Sequence, residues 1–304
     1  MLGPIAVIGN ANLDLVGGPL DHWPERGTET FLKCADRRIG GSAANTALVL
    51  QRLGSQSGLI ASAGEDMVGE MIRAQFSGPL DRISLAAGPS SVTFGLLHSK
   101  SERTFFSTPG HLDTFDCAQI RENLEGWPLK AALALVSGSF ALPVLADETA
   151  SLLSDLQCSG ARTAIDPGWP DGGWTHQNQS RAMKWIAQSD IILLNDKEAL
   201  GLTNQKTIDL AVDYLSSILR PEAELVIKCG PKGAISSVSN SRFEASSPAS
   251  NIMDTIGAGD AFNAGYLAAR QTGLGPSESL TAGCTVASAV IQVFPRSNRP
   301  LSFL

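Results

Sequence analysis

The sequence predicts an α/β fold in which helices cover a mostly parallel central sheet, with a small second β-sheet beside it. Short apolar runs of strand length alternate with longer segments of helical periodicity, which is typical of parallel sheets. Two extended segments interrupt this alternation, and we assign them to the small sheet. The chain has 304 residues, of which 43% are hydrophobic, so it can bury the large core that such a fold needs.

The predicted strands of the central sheet are continuous apolar runs, as expected for strands that are buried on both faces. The first run ends at Gly9, and glycine commonly marks a turn. The runs comprise residues 5–8, 58–61, 132–136, 162–165, 191–194 and 225–228.

Helices are predicted where apolar residues recur at helical spacing. Alanines and leucines between residues 43 and 53 show this spacing, and Gly54 ends the pattern. The other predicted helices cover residues 144–156, 208–219 and 258–269.

Two segments, residues 12–39 and 90–108, are predicted to be extended. Their clearest strands are residues 92–97 and 103–106, and residues 99–102 between them are predicted to form a hairpin turn. Both segments are insertions in a simple strand–helix order. We therefore expect one domain, residues 1–304, with a small β-sheet attached to a large α/β body.

The charge balance and the N-terminus exclude several classes of function. The net charge is −7 and the pI is near 5.1, whereas nucleic-acid binders usually carry a basic surface. No basic segment precedes an apolar run at the N-terminus, and no apolar run is long enough to span a bilayer. We therefore expect a soluble, cytoplasmic protein with neither nucleic acid nor membrane as a partner.

Several motifs of cofactor chemistry are missing. The turn after the first strand, GNANLD, lacks the G-x-G-x-x-G pattern of dinucleotide folds, and the chain has no P-loop, G-x-S-x-G or H-E-x-x-H motif. The five cysteines are scattered and form no C-x-x-C pair, so we expect reduced thiols rather than a zinc site. Any phosphate group must therefore be bound in another way.

The most informative segment is DTIGAGDAF, at residues 254–262. Its glycines adjoin a predicted helix, so the turn exposes backbone N–H groups and, with the helix dipole, predicts an anion site. Asp260 falls in the first turn of that helix. Its carboxylate can stabilise the helix start, or it can act as a base that takes a proton from an attacking hydroxyl group.

This segment resembles the C-terminal signature of the ribokinase-like (PfkB) carbohydrate kinase family, and GGSAANTA at residues 40–47 resembles the N-terminal signature. The resemblance spans nearly the whole chain. It implies a ribokinase-like fold whose small sheet, about residues 12–39 and 90–109, closes over the substrate as a lid. Further matches are N-x-D at 12–14, GED at 64–66 with Gly69, NDKE at 195–198 and KCGPKG at 228–233.

The resemblance implies a role for each matching residue. Asp260 resembles the catalytic base of the family. The hole for the γ-phosphoryl group is implied at Gly257, Ala258 and Gly259. The residues implied to hydrogen-bond the sugar hydroxyls are Asn12, Asp14, Gly40, Gly41 and Asn45.

ATP and Mg²⁺ are the cofactors that the resemblance implies. Asn195 and Glu198 resemble residues that hold Mg²⁺ and its waters, and an oxygen-only shell suits this ion. The backbone of Asp254 and Ile256, with the loop 294–297, falls where many members bind a monovalent cation such as K⁺. The nucleotide site is implied at Lys228, Gly230, Gly233 and Cys284.

Simpler readings of these residues stay open. Asx residues and glycines favour tight turns, so the sugar-binding set can be purely structural. Asn195 and Glu198 can cap a helix, and Cys284 can be a small buried side chain. His111, at the end of the second extended segment, could approach the substrate, but it is expected to be a solvent-exposed loop residue. The segment DPGW at residues 166–169 partly resembles a D-P-N segment of the family and is given no role.

The acceptor stays open because the chain departs from the ribokinase pattern. Ser42 stands where ribokinase has lysine, and VSGSF at residues 136–140 lacks the glutamate that ribokinase uses at its sugar. A phosphosugar would need a basic partner, and Lys33, Arg37 and Arg38 are close enough in sequence to supply one. The sequence therefore does not favour ribose over other acceptors.

The sequence thus predicts transfer of the γ-phosphoryl group of ATP to a hydroxymethyl group of a sugar or sugar-like molecule. A nucleoside kinase of the same family is an alternative, with Phe94, Phe105 or Phe106 available to pack against a base. A sugar-binding regulatory protein without catalysis is a second alternative, against which the intact Asp260 argues. We also expect a homodimer, because lids of such kinases often pair and an exposed strand edge favours a partner.

Overall fold

The computed structural model describes residues 3–98, 103–239 and 241–303, and the predicted hairpin turn at residues 99–102 lies outside the described residues. The strands are β1 Ile5–Gly9, β2 Asn12–Leu20, β3 Cys34–Gly40, β4 Ser57–Gly64, β5 Arg82–Ala86, β6 Val92–His98, β7 Arg103–Ser107, β8 Leu133–Ser137, β9 Arg162–Asp166, β10 Ile191–Asn195, β11 Glu224–Lys228, β12 Ala234–Val238 and β13 Ser241–Ala245. The helices are α1 Ser42–Arg52, α2 Met67–Gln75, α3 Cys117–Asn123, α4 Pro143–Cys158, α5 His176–Gln188, α6 Asp196–Thr203, α7 Ile208–Ile218, α8 Ala258–Gln271 and α9 Pro276–Ile291.

The central sheet has the strand order β13–β12–β11–β10–β9–β8–β1–β4–β5 within the described residues. The strands from β11 to β5 run parallel, and β12 and β13 extend one edge in antiparallel pairing. Helices α3 to α7 pack on one face, and α1, α2, α8 and α9 pack on the other. The predicted α/β fold with a mostly parallel sheet is confirmed.

All six predicted apolar runs are strands, and most extend by a residue or more into polar or glycine positions. Residues 58–61, for example, lie within the strand Ser57–Gly64. The sequence does not predict the edge strands β5, β12 and β13, because strands that are partly exposed mix polar and apolar residues, as in SRFEA. No helix in the described part of the chain is long and apolar enough to cross a membrane.

The small sheet has the order β3–β2–β6–β7. Strand β2 pairs antiparallel with β3 and parallel with β6, and β6 pairs antiparallel with β7. The prediction that residues 12–39 are extended throughout is wrong for residues 21–33, which form an exposed irregular connection. Pro24 cannot donate to a strand ladder, and Gly27 has a φ of +85°, so both residues favour a loop.

The carboxyl ends of the parallel strands meet at one edge of the central sheet, which is where open α/β sheets bind ligands. The small sheet joins the body at this edge, through the β1–β2 and β3–α1 connections. Polar residues end or follow these strands, namely Asn10, Ser137, Asp166, Asn195 and Lys228.

Candidate active site

The turn before α8 has the geometry of an anion site. Gly257 adopts a left-handed conformation with a φ of +73° and precedes the helix without any side-chain cap. No side chain caps the start of this helix, and the helix dipole favours a negative charge there. The Ala258 N–H donates to the Thr255 carbonyl oxygen at 3.2 Å. Asp260 lies in the first turn, and the Asn45 Nδ2 donates to its Oδ2 at 2.9 Å.

The pKa of the Asp260 carboxyl group lies close to neutral pH. Burial raises the pKa of Asp260 to about 7, and the neighbouring Asp166 carboxylate adds to the rise. The Asn45 hydrogen bond and the Lys228 charge oppose it. A carboxylate with a pKa near the working pH is well suited to accept a proton from an alcohol.

The glycines before α1 bring Asn45 to Asp260. Gly41 has a φ of +94°, and a Cβ there would lie 2.6 Å from the Asn10 carbonyl oxygen, so only glycine fits. This close approach packs the start of α1 against the start of α8. Thr46 Oγ1 completes the contact by donating to the Asp260 carbonyl oxygen at 3.3 Å.

A second polar pair lies where the small sheet meets the body. The Asn12 Nδ2 donates to Asp14 Oδ1 at 2.7 Å and to Thr93 Oγ1 at 3.2 Å. A Cβ on Gly40 would lie 2.1 Å from the Asp14 carboxylate, so glycine is needed there to make room for it. Burial raises the pKa of Asp14 to about 6, although the Asn12 hydrogen bond and the Arg38 charge lower it. The predicted sugar-binding residues thus lie together.

A buried cluster that the sequence reasoning did not identify lies behind the glycine turn. The Lys228 Nζ is 2.7 Å from Asp166 Oδ2 and donates to Asn263 Oδ1 at 3.1 Å. The Asn263 Nδ2 in turn donates to Asp166 Oδ2. A Cβ on Gly259 would lie 3.5 Å from the Lys228 Nζ, so the ammonium group adjoins the predicted anion hole.

The cluster keeps Lys228 charged. Burial alone would lower the pKa of Lys228, but the Asp166 and Glu198 carboxylates outweigh it and raise the pKa. The sequence does contain an indication of this cluster, because Asp166 and Lys228 each end a parallel strand. The carboxyl ends of these strands lie at the same edge of the sheet. Asn263 lies three residues after Asp260 on α8, and no sequence motif indicates that it belongs to the cluster.

Asn195 and Glu198 form a capping box at the start of α6. Asn195 Oδ1 accepts the Glu198 N–H, and Glu198 Oε2 accepts the Asn195 N–H, each at 2.8 Å. Burial and the neighbouring Asp166 raise the pKa of Glu198 to about 7. Among the described residues, no group of three or more His, Cys, Asp or Glu side chains is arranged to hold a metal ion. The oxygen donors of the pair do fit Mg²⁺ held largely through its waters.

The predicted nucleotide loop follows β11. Gly233 has a φ of +95°, and its Cβ position is 1.9 Å from the Ala245 carbonyl oxygen, so this turn requires glycine. Gly230 has a φ of +55°, which favours glycine. Cys284 is buried beside β13, with its Sγ 3.9 Å from the Ala245 carbonyl oxygen. Burial raises the pKa of the Cys284 thiol to about 11, so it is an unreactive side chain at this place.

The matched segment at residues 64–69 has a structural role. A Cβ on Gly69 would lie 1.9 Å from the Gly64 carbonyl oxygen, so the turn closes only with glycine. The Asp66 carboxylate caps α2 at the Gly69 N–H and accepts from both the N–H and the Oγ of Ser90. These contacts hold Ser90, and thus the segment that leads into β6, against the start of α2.

The backbone oxygens predicted to bind a monovalent cation instead meet a side chain. The Arg296 Nη2 donates to the Asp254 carbonyl oxygen at 3.2 Å and to the Ile256 carbonyl oxygen. The Asp254 carboxylate also accepts from Arg296 and, at 2.7 Å, from the Arg38 Nη1. As arranged here, these oxygens do not fit an additional K⁺, because the guanidinium group occupies their meeting point.

His111 is not the exposed loop residue that the sequence suggested. Its side chain is buried, and its Nδ1 accepts the Ser91 N–H at 3.1 Å. Burial lowers the pKa of His111, which favours the neutral ring that such an acceptor requires. Gly110 has a φ of +54° and turns the chain inward, so the histidine supports the base of the small sheet.

The phenylalanines of the small sheet lie on different faces of it, because side chains alternate along a strand. Phe94 and Phe106 are register partners. Phe105 is the partner of Gly95 and lies on the same face as Asp14 and Thr93. Of the three phenylalanines, only Phe105 therefore shares the face of the predicted sugar-binding residues.

The chain is similar to known carbohydrate kinases. The model of the pfkB family of carbohydrate kinases matches residues 4–298. The chain is 27% identical over 296 residues to the uncharacterized sugar kinase YegV of Escherichia coli K12, covering 94% of this chain and 88% of that protein. It is 29% identical over 277 residues to a fructokinase of Klebsiella pneumoniae, covering 88% and 84%.

Solved structures share the fold. A crystal structure of a putative ribokinase II from E. coli superposes with a TM-score of 0.83 over 99% of this chain and 97% of that chain, at 18% sequence identity. At that identity the likeness concerns the fold alone. The family match, in contrast, spans both signatures and nearly every residue between them. This protein therefore belongs to the pfkB family of carbohydrate kinases.

Proposed function

We propose that this kinase transfers the γ-phosphoryl group of ATP to a hydroxymethyl group of a sugar or sugar-like molecule, with Asp260 as the general base. One observation carries the proposal. A carboxylate with a pKa of about 7 lies at an uncapped helix start, next to a left-handed glycine. Proton acceptor and phosphoryl site thus adjoin each other, as in-line transfer to an alcohol requires.

In this mechanism, Asp260 takes the proton of the attacking hydroxyl as its oxygen bonds to phosphorus. Asn45 holds the carboxylate in place through its hydrogen bond of 2.9 Å. The N–H groups of Gly257 and Gly259 receive the transferred phosphoryl group, whereas the Ala258 N–H donates to the Thr255 carbonyl oxygen at 3.2 Å. The Lys228 ammonium behind Gly259 stabilises the charge that develops there. ADP leaves as the oxygen–phosphorus bond to the β-phosphate breaks.

Asn195 and Glu198 would hold Mg²⁺ through its waters beside the nucleotide phosphates, where the ion supplies further charge neutralisation. The loop with Gly230 and Gly233 would bind the nucleotide, and Cys284 would line this site as a small uncharged side chain.

The acceptor would lie under the small sheet. Asn12 and Asp14 offer an amide and a carboxylate that can bind adjacent hydroxyl groups, and both are buried. Arg38, on the neighbouring strand, is engaged by Asp254 at 2.7 Å, while Lys33 and Arg37 are exposed. The buried Arg38 Nη2 has no hydrogen-bond partner among the described residues, so these contacts do not favour a neutral sugar over a phosphosugar. Closure of the lid would exclude water, so that phosphoryl transfer goes to the acceptor.

The test is an ADP-release assay with a panel of sugars, sugar phosphates, polyols and nucleosides. A thermal-shift screen with a non-hydrolysable ATP analogue selects the acceptors, because a true ligand raises stability by mass action. We expect Asp260→Asn to lose turnover and keep ATP binding. Acceptor phosphorylation at an undiminished rate by this variant would contradict the mechanism, and no turnover with any acceptor would favour a regulatory sugar-binding protein.

A nucleoside acceptor is the second candidate, and Phe105 is the observation that favours it. Its ring packs over Gly95, whose Cβ position lies 3.3 Å from the Phe105 Cε1, and 45% of the side chain is exposed on the acceptor face. Such a ring can stack on a base. Phe105→Ala should raise KM for a nucleoside at least about tenfold, whereas KM for a small sugar should change little.

We also infer a homodimer in the cytoplasm, where ATP is available. Phe94, Phe106 and Trp23 are about half exposed and lie on or beside the face of the small sheet that points away from the acceptor. Pairing of two such faces would bury these rings. Light scattering should give twice the mass of the chain, and Phe106→Glu should give the monomer; a wild-type monomer would contradict this inference.

A further inference from the structure

The loop after α9 places a guanidinium group under the glycine turn. Arg296 makes contacts to three backbone carbonyl oxygens, those of Asp254, Ile256 and Val290, and to the Asp254 carboxylate. The contacts to the Asp254 and Val290 carbonyls measure 3.2 Å each. Only 16% of the Arg296 side chain is exposed, so this is a built internal site rather than a surface ion pair.

The four oxygens need a cation. Carbonyl oxygens that converge in a buried place repel one another, and the Asp254 side chain, fully buried, adds a negative charge. Arg38 satisfies part of that charge at 2.7 Å, but its contact is to the carboxylate and not to the carbonyls. Without Arg296, the three carbonyl oxygens would form an oxygen-lined gap of the kind that binds a monovalent metal ion.

The arginine also sets the direction of the anion hole. A trans peptide is planar, so its N–H points opposite to its C=O. The Ile256–Gly257 peptide is trans, and its carbonyl oxygen accepts from Arg296. The Gly257 N–H therefore points away from the arginine. Gly257 itself adjoins the site, since its Cβ position is 3.4 Å from the Asn45 Nδ2 and 3.6 Å from Asp260 Oδ2.

We propose that Arg296 is a tethered cation that replaces a dissociable monovalent ion and positions the phosphoryl-binding turn, so that this kinase works without K⁺. Arg296 is a positioning residue, because it acts through the backbone of residues 254–257 and touches no reacting atom. The proposal rests on the proposed function for its effect on rate, but its effect on stability needs neither ATP nor acceptor.

The test compares wild type, Arg296→Ala and Arg299→Ala in KCl, NaCl and choline chloride at equal ionic strength. Arg299 is a matched control, because it lies in the same segment with an exposed side chain. We expect equal rates and melting temperatures in all three salts for wild type and Arg299→Ala. Arg296→Ala should lose about 10- to 100-fold in kcat in choline, since a displaced turn misplaces the phosphoryl group.

The decisive result is rescue by an ion. KCl should restore the kcat of Arg296→Ala by about tenfold or more over choline, and should raise its melting temperature in the absence of substrates. A purely structural role would give lower stability without selectivity among the salts. Wild-type activity that requires K⁺, or an Arg296→Ala protein whose rate and melting temperature ignore K⁺, would overturn the proposal.

Two further arms keep the test decisive. Arg296→Lys retains a tethered positive charge, so it should fold and stay independent of K⁺, with a lower kcat because lysine cannot span all four oxygens. A lysine variant that K⁺ stimulates as strongly as the alanine variant would count against a tethered cation. If the melting temperatures respond as expected and no acceptor is turned over, the proposed function fails while the cation proposal stands.

Discussion

Replacement of Asp260 by asparagine should abolish turnover and at the same time make the protein more stable. The folded protein raises the pKa of Asp260 from 3.8 to about 7, mainly through burial. Its ionised carboxylate is therefore less favourable in the folded state than in the unfolded chain. A neutral amide of the same shape avoids that cost and can still accept the hydrogen bond from Asn45.

The size of the effect follows from the pKa shift. One pKa unit corresponds to about 1.4 kcal/mol, so the shift makes the ionised form less favourable by roughly 4 kcal/mol, as an upper figure. Because the folded-state pKa is the higher one, wild-type stability decreases as the pH rises from 3.8 through about 7. The advantage of Asp260→Asn should therefore grow by about 2–3 kcal/mol between about pH 5 and about pH 8.

The assay is urea unfolding of wild type and variant at both pH values, with ADP release measured on the same preparations. Asp116→Asn is the matched control, because that carboxylate caps α3 at the Gln119 N–H, 2.9 Å away, outside the site. The control should change the stability by only a few tenths of a kcal/mol, because asparagine caps a helix about as well as aspartate, and it should keep its activity. A variant at Asp260 that is less stable than wild type at about pH 8 would refute the reasoning about burial.

Three further predictions follow from the same contacts. Asn45→Ala removes a hydrogen-bond donor that lowers the pKa of Asp260. The pH at which kcat/KM falls on the acid side, about 7 in the wild type, should therefore rise by about one unit. An unchanged pH profile would mean that another group controls this fall. Lys228→Met should reduce kcat at least about 100-fold and destabilise the protein by about 3–5 kcal/mol, because Asp166 is left buried without its partner. The double variant Lys228→Met with Asp166→Asn should regain stability, measured by denaturant unfolding, but should not regain activity. Gly40→Ala should raise KM for the acceptor at least about tenfold and leave KM for ATP unchanged, since its Cβ would displace the Asp14 carboxylate; equal changes in both constants would contradict this role.

The sequence predicts the parts of this fold that have a periodic pattern. Buried parallel strands such as residues 191–194 are continuous apolar runs, and residues 258–269 have helical composition, so both are recognisable. The edge strands and the irregular connection at residues 21–33 are not, because their exposure leaves no periodic apolar pattern to detect.

The functional site is likewise predictable only in part from the sequence. The glycine turn and Asp260 are predictable, because their chemistry is local to one segment. The pairing of Lys228 with Asp166 is only partly predictable. Both residues end parallel strands and so lie at one edge of the sheet, but they are 62 positions apart, and the sequence does not show that β9 and β11 are close enough for contact. The contacts of Arg296 with the turn span about forty positions and follow a loop without periodicity. His111 was expected to be exposed because the sequence does not reveal that Gly110 turns the chain inward.

The most direct test of the proposed chemistry is ³¹P NMR of the product formed from ATP and the best acceptor of the screen. The account predicts a phosphate ester whose phosphorus couples to the methylene protons of the acceptor, formed by wild type and absent with Asp260→Asn at the same ATP occupancy. Free inorganic phosphate as the main product, an ester at a ring hydroxyl, or the same ester formed at the wild-type rate by Asp260→Asn would contradict it.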